Sequence, residues 1–442
     1  MISKLNWRLR RWLRSIWAPV IGFALLGLVT SFLAIGARPW LPEDFGGDIG
    51  VDAIDQILNV LATSMLGVTT FSVSIMVTAF ASAASSATPR TLTLLQSDRQ
   101  TRYVLAIFVG AFIYSLTGIV ALRAGLYGEG GRAILFAVTI AVIAVIVIAL
   151  MRWIAHLTVF GRLTDTLRRV EEATARALKV RREAPYLGGR PMEGPVPGGA
   201  RYLTAARTGS VQHVDMEALQ DTAQEAGLSV WLLAPPGTFV TPLDPILAVT
   251  GLPDEDGGGE EDRDGDGEAA RLVGRLTGAI TTDAARSFDQ DPLFGLIVMS
   301  EVASRALSPA VNDPGTAIDV LNRILRVLLD WRDVPAPEMR FDRVHVAALD
   351  AAEMLRACIR PILRDGAALV EVQIRAQRVL RTLASANPVL FGAGAAAESA
   401  NGIAYAEGAV TLPAELAALR AMAEETARLA RPQPLRAEGQ AM

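Results

Sequence analysis

Two groups of polar residues in this chain have types and spacings suited to chemistry. The first is Arg286, Asp289, Asp291, Glu301, Arg305, Ser308, Asn312 and Asp313, spread through RSFDQDPLFGLIVMSEVASRALSPAVNDPG. Carboxylates, guanidiniums and a hydroxyl in one segment suit a ligand or ion site, or a contact between subunits. They equally suit structural work, because Ser, Asn and Asp side chains accept from backbone N–H groups and cap helices. Asp291 before Pro292 and Asp313 before Pro314 are helix-start signals. They predict two helices with the SPAVNDP break between them, where all eight residues can join one polar network. The second group is Thr63, Gly67, Thr70, Ser74, Thr78 and Ser82, at spacings of 4, 3, 4, 4 and 4. On a helix these share one face. Hydroxyls there can bond the i−4 carbonyl, and small residues let helices approach closely. The stripe therefore suits either helix packing or the lining of a polar path.

Catalytic constellations are weak by comparison. His156, His213 and His345 lie far apart and lack metal-ligand spacing. Ser308 has no histidine near it in sequence, and His345 sits in a short VHV run that reads as ordinary core or surface. GLYGEGG at 125–131 falls between apolar runs, not in a strand–helix phosphate turn. Asp262, Asp264, Asp266 and Gly267 match positions of a calcium loop, but Val273 stands where its bidentate glutamate belongs. A single cysteine, Cys358, rules out an internal disulfide. No catalytic residue, metal or cofactor is assigned, and the chain is not expected to be an enzyme.

The elements that position these residues follow from where the apolar residues lie. The chain has 442 residues, 51% hydrophobic and 20% charged, with a mean hydropathy of +0.33. Soluble chains carry about 25% charge. This composition excludes a disordered chain and fits a fully soluble enzyme poorly. A net charge of −4 gives no reason to expect nucleic acid as a partner. The apolar excess sits in charge-free runs at 17–37, 57–81, 103–122 and 133–151. Each is long enough, at about 1.5 Å per residue, to cross a roughly 30 Å hydrocarbon core. Arginines flank the runs at the N-terminus, at 90–102 and after 151, while 38–56 is acidic. This alternation places both termini in the cytoplasm. Trp7, Trp12, Trp17, Trp40 and Trp153 fall near expected interfaces.

The predicted fold class is an α-helical integral membrane domain with four transmembrane helices, followed by a cytoplasmic α+β region. Residues 1–16 form a basic amphipathic N-terminus, 17–154 the membrane domain and 155–185 a helical stalk. Residues 186–285 form a small mixed domain with an acidic loop at 254–268, and 286–442 a mostly helical domain. In the mixed domain, 186–199 reads as a Pro/Gly linker. A helix is expected at 215–226, with strands at 228–233 and 271–280. Further helices are expected at 349–359, ended by Pro361, at 367–384 and at 412–429.

These residues resemble a known family, the bacterial predicted membrane proteins grouped as domain of unknown function 2254. The likeness rests on the early spans, SVSIMVTAFASAASSATPR at 72–90, GSVQHVD at 209–215 and PPGTFV at 235–240. RSFDQDPLFGL at 286–296 and, most specifically, ALSPAVNDPGTA at 306–317 extend it. The resemblance implies a bacterial inner-membrane protein and carries no established activity. The residues themselves suggest an oligomeric channel or passive transporter, with an ion or small solute as cargo. The second span lines the path, and the cytoplasmic domain regulates it. The alternative is a membrane-anchored sensor or scaffold whose cytoplasmic domain binds a ligand or protein. The expected partners are the lipid bilayer and further copies of the chain, as a homo-oligomer.

Overall fold

The structure is a computed structural model that describes residues 21, 22, 25, 29, 51–96, 98–127, 129–253, 267–333 and 338–431. The N-terminal segment 1–16, most of the first expected span and nearly all of the acidic loop 254–268 lie outside the described residues. The chain divides into two compact units, within Leu5–Thr166 and within Leu167–Met442.

In the first unit, three helices among the described residues are long and apolar enough to cross a membrane. They are α1 (Val51–Ser86), α3 (Arg99–Arg123) and α4 (Glu129–Leu157), with a short α2 (Leu92–Gln96) between the first two. Helix α1 has 36 residues, or about 54 Å at 1.5 Å per residue, so it outruns the apolar stretch that marks it. Nothing in its flanks breaks a helix until Pro89, which holds Thr88 extended at φ −141° and ψ 154°. Ile54, Leu58 and Met65 of α1 bury against Ile107, Phe108 and Tyr114 of α3 and Leu135, Ile146 and Trp153 of α4. Trp153, near the end of α4, is buried inside the bundle. Its indole N–H donates to Ser72 Oγ at 2.9 Å, which satisfies the polar atom that burial would otherwise strand.

The second unit holds all but the first turn of α5 (Leu163–Glu183) and is a mixed α+β region. Its larger sheet has strand order β1 (Gly189–Pro191), β8 (Phe341–Val346), β4 (Ser229–Leu232), β6 (Pro245–Thr250), β2 (Arg201–Thr204). A smaller sheet pairs β5 (Phe239–Val240), β3 (Gly209–Val214) and β7 (Ile280–Asp283). Helix α6 (Met216–Glu225), capped by Asp215, packs Met216, Leu219 and Ala223 on Val230, Leu232, Val344 and Val346. The segment read as a linker at 186–199 is partly strand. Since β1 and β2 are opposite edges of the sheet, the connection 192–200 must cross about 19 Å of it, at four strand spacings. Helix α6 covers one face of the sheet.

The opposite face carries Arg190, His345, Trp231, Ala248 and Tyr202 in register across all five strands. The Trp231 and His345 rings stack at 4.7 Å and 7°. Burial, aided by nearby Arg190, holds the His345 imidazole below its ordinary value, against a backbone hydrogen bond at Pro191. A histidine with a lowered folded value binds fewer protons folded than unfolded. Its contribution is therefore full above about pH 6.5 and is lost as pH falls through the lower folded value. His345→Phe, which keeps the stack, is expected to flatten the loss of stability between about pH 6.5 and 5. Urea midpoints of the full chain across that range check it.

Two expectations give way to packing. Residues 271–280, expected as a strand, belong mostly to helix α7 (Glu268–Gly278), because Ala269, Leu272 and Leu276 bury at helical spacing. Helix α10 (Ala351–Asp365) runs through Pro361 instead of stopping. Burial of Cys358, Ile359, Ile362 and Leu363 on both sides outweighs the lost backbone bond. It packs with α11 (Val370–Ala386) and α12 (Pro388–Glu407), and α13 (Pro413–Leu429) packs on those two in turn.

Candidate functional site

The hydroxyl stripe lies on the side of α1 opposite Ile54, Leu58, Met65 and Ser72, which are buried. Thr63, Gly67, Thr70, Ser74, Thr78 and Ser82 are all exposed. The Thr70 hydroxyl donates to Leu66 O at 2.9 Å and that of Thr78 to Ser74 O at 3.1 Å. These bonds let the helix carry hydroxyls in an apolar setting. A Cβ added to Gly67 would meet no atom within 4 Å. Among the described residues, therefore, the stripe is not a packing face against α3 or α4.

At its C-terminal end the stripe opens into a cleft of about 340 Å³ lined by Ser74, Ile75, Thr78, Ala79, Ser82, Phe160, Gly161 and Arg162. The turn after α4 builds its second wall. Gly161 has φ +78°, and a Cβ there would sit 2.8 Å from Ala79 Cβ, so only glycine lets the turn rest on α1. Phe160 is held by Phe80, with ring centroids 6.0 Å apart, and by His156 at 5.0 Å. Arg162 follows directly, exposed at the cleft, with no carboxylate partner among the described residues.

Behind Phe160 is a buried polar cluster. Asp98 caps α3, accepting at Oδ2 from Thr101 N at 2.8 Å and Thr101 Oγ at 2.6 Å. His156 Nε2 lies 3.1 Å from the same carboxylate oxygen and 3.3 Å from Thr101 Oγ. Carboxylate and hydroxyl share one ring nitrogen, whereas a nucleophilic triad uses both. The cluster ties the start of α3 to the end of α4.

The polar residues of 286–313 fall in two places. Helix α8 (Pro292–Ala306) and helix α9 (Pro314–Leu329) start as expected, at Asp291 and Asp313. Asp291 accepts from Phe294 N at 3.0 Å and pairs with Arg286 at 2.7 Å. Burial pushes its carboxyl above the ordinary carboxylate value, with Arg286 pulling the other way. Gly237, at φ +96°, lies so close to Asp291 and Arg286 that a Cβ has no room. PPGTFV and RSFDQDP, distant in sequence, thus meet here. Asp289 is exposed beside them. At the far end of α8, about 22 Å away by helix rise, Ser308 Oγ donates to Arg305 O at 2.7 Å. Asp313 accepts from Thr316 N at 3.0 Å and Oγ at 2.6 Å, bonds that hold its carboxyl below the usual range. Asn312 is exposed at φ +49°, and Glu301 is half-buried midway along α8. The eight residues are therefore spread along α8: Arg286, Asp289 and Asp291 lie at its start, Glu301 within it, and Arg305, Ser308, Asn312 and Asp313 at its end and the turn into α9.

Over residues 13–382 the chain matches the family described as predicted membrane protein (DUF2254). It belongs to the DUF2254 family. It is 28% identical over 301 residues to "Uncharacterized protein Rv1290c" of Mycobacterium tuberculosis strain H37Rv, which covers 65% of this chain and 54% of that one. The same figures hold for "Uncharacterized protein Mb1321c" of Mycobacterium bovis. The chain thus spans about half the length of these relatives. No solved structure matches it. It is a multi-pass bacterial membrane protein with a mixed α+β soluble region.

For this DUF2254 protein, reading by motif missed Asp98, Thr101, His156 and Arg162. Asp98 and His156 lie just outside charge-free runs and 58 positions apart, so no local pattern joins them. Asp98 three residues before Thr101, ahead of an apolar run, is a cap signal that could have found half the cluster.

Proposed function

We propose that this protein is an oligomeric membrane channel or passive transporter for ions or small polar solutes, rather than an enzyme. Its path is lined by the stripe Thr63–Ser82. The observation that supports this is the stripe's placement on the side of α1 that no described residue covers, leading into the Arg162 cleft. One helix face cannot enclose a path, so symmetric copies would supply the rest of the wall. We take 17–37 as a fourth span. The arginine-rich end of the bundle, with Arg90, Arg99, Arg102, Arg152 and Arg162, is taken as cytoplasmic. The soluble region then acts as a regulator.

Solute flux into liposomes tests this reading. Thr70→Leu and Ser74→Leu are expected to cut flux at least about tenfold while the oligomer's size is kept. Normal flux in both variants overturns the pore-lining role. A second reading, a membrane-anchored sensor or scaffold, draws on the exposed turn at Val311 and Asn312 between α8 and α9. An intact oligomer that passes no solute would favour it.

A further inference from the structure

We propose that the cleft between α1 and the Phe160–Arg162 turn binds the phosphate headgroup of an anionic membrane phospholipid. The inference shares Ser74, Thr78 and Ser82 with the stripe but does not rest on conduction, since its readout is lipid binding. The lining of the cleft is of two kinds, and each wall carries both. Ser74, Thr78, Ser82 and Arg162 give hydroxyls and a guanidinium, while Ile75, Ala79 and Phe160 give apolar surface. A phosphodiester joined to acyl chains has the same division. Arg162 has no carboxylate partner among the described residues, and a guanidinium donates to phosphate oxygens through two N–H groups at once. The Thr78 hydroxyl is committed to Ser74 O, which leaves Ser74 and Ser82 as the hydroxyl donors.

Level and charge favour a lipid over a free anion. The cleft lies on the last turns of the apolar run 57–81, where a span of about 30 Å meets the headgroups. Arg90, Arg99, Arg102 and Arg152 belong to the same end of the bundle, and clustered arginines beside a span attract anionic lipid. Gly161 fixes the turn against Ala79, so the geometry is built into the fold and does not depend on a bound lipid.

The experiment uses the full chain, purified and delipidated in detergent. Its thermal midpoint is measured with phosphatidylglycerol, with diacylglycerol of the same chains, and with inorganic phosphate. Phosphatidylglycerol is expected to raise the midpoint by roughly 4 °C or more; the other two leave it in place. Arg162→Gln is expected to lose at least half of that rise, and Arg162→Lys to keep more of it than the glutamine variant. Ser82→Leu, which fills the cleft from the opposite wall, is expected to lose the rise with Arg162 intact. Absence of a rise in the unaltered protein overturns the proposal. So does an undiminished rise in Arg162→Gln and Ser82→Leu. An equal rise with diacylglycerol removes the phosphate from it, and an equal rise with inorganic phosphate removes the lipid; each overturns the assignment.

Discussion

Asp98→Ala is expected to destabilise the membrane unit by about 2–4 kcal/mol, through a lost helix cap and two buried groups left without their acceptor. The carboxylate does three things. It caps the 25-residue helix α3 through Thr101 N, a contribution of about 1 kcal/mol. It accepts the Thr101 hydroxyl, and it faces His156 Nε2 at 3.1 Å with both side chains less than a tenth exposed. Alanine leaves the imidazole and the hydroxyl buried without their shared acceptor. Asp98→Asn keeps an oxygen for the cap and is expected to cost about 1–2 kcal/mol. Unfolding in detergent, followed by the near-ultraviolet dichroism of aromatic residues such as buried Trp153, measures both. An alanine variant as stable as the parent would show that the cluster does not hold α3 to α4. The cluster touches Phe160, so Asp98→Ala should also loosen the cleft and reduce any phosphatidylglycerol effect.

Glu171→Ala is expected to cost the soluble unit about 3–4 kcal/mol. Glu171 on α5 meets Arg323 Nη1 at 2.6 Å and Arg326 Nε at 2.7 Å, both on α9. Arg323 is the one that matters, since its side chain is 10% exposed and that of Arg326 is 55% exposed. Without Glu171, Arg323 keeps only the more exposed Asp319 at 2.8 Å. Replacing Glu171 and Arg323 together by methionine removes the charge along with its partner, and is expected to recover most of the loss. Burial alone would raise the Glu171 carboxyl, but Arg326 and Arg323 hold it below the usual value. A lowered folded value means this stability is full above about pH 4.5 and is lost as pH falls through the folded value. Chemical denaturation of single and double variants at pH 7 and pH 4 separates the two effects.

The residues that announced themselves in sequence were those with a local signature. Asp291–Pro292 and Asp313–Pro314 start helices in the structure as their types require, because a cap and its N–H partners lie within three residues. The apolar runs at 57–81, 103–122 and 133–151 lie within α1, α3 and α4 for a similar reason. Local signals also misled. Pro361 signals a stop, yet buried neighbours carry α10 past it. The glycine- and alanine-rich stretch 388–407 shows little periodicity, yet it forms α12 within a helical bundle. The proline and glycine of 186–199 suggested a tether between domains, and part of that stretch is a sheet edge.

By itself the sequence determined that the chain spans a membrane, that a mixed α+β region follows, and that one span carries a stripe of hydroxyls. These are properties of composition and periodicity, set by neighbours a few positions apart. Tertiary structure alone decided which side of α1 is packed, and so left the stripe outside the packing of α1 against α3 and α4. It alone joined Asp98 to His156, brought Gly237 onto the Arg286–Asp291 pair, and set Arg162 at the mouth of a cleft. Each of these depends on residues tens of positions apart, whose meeting is settled by how side chains fill the space between helices. That filling leaves no trace in the spacing along the chain.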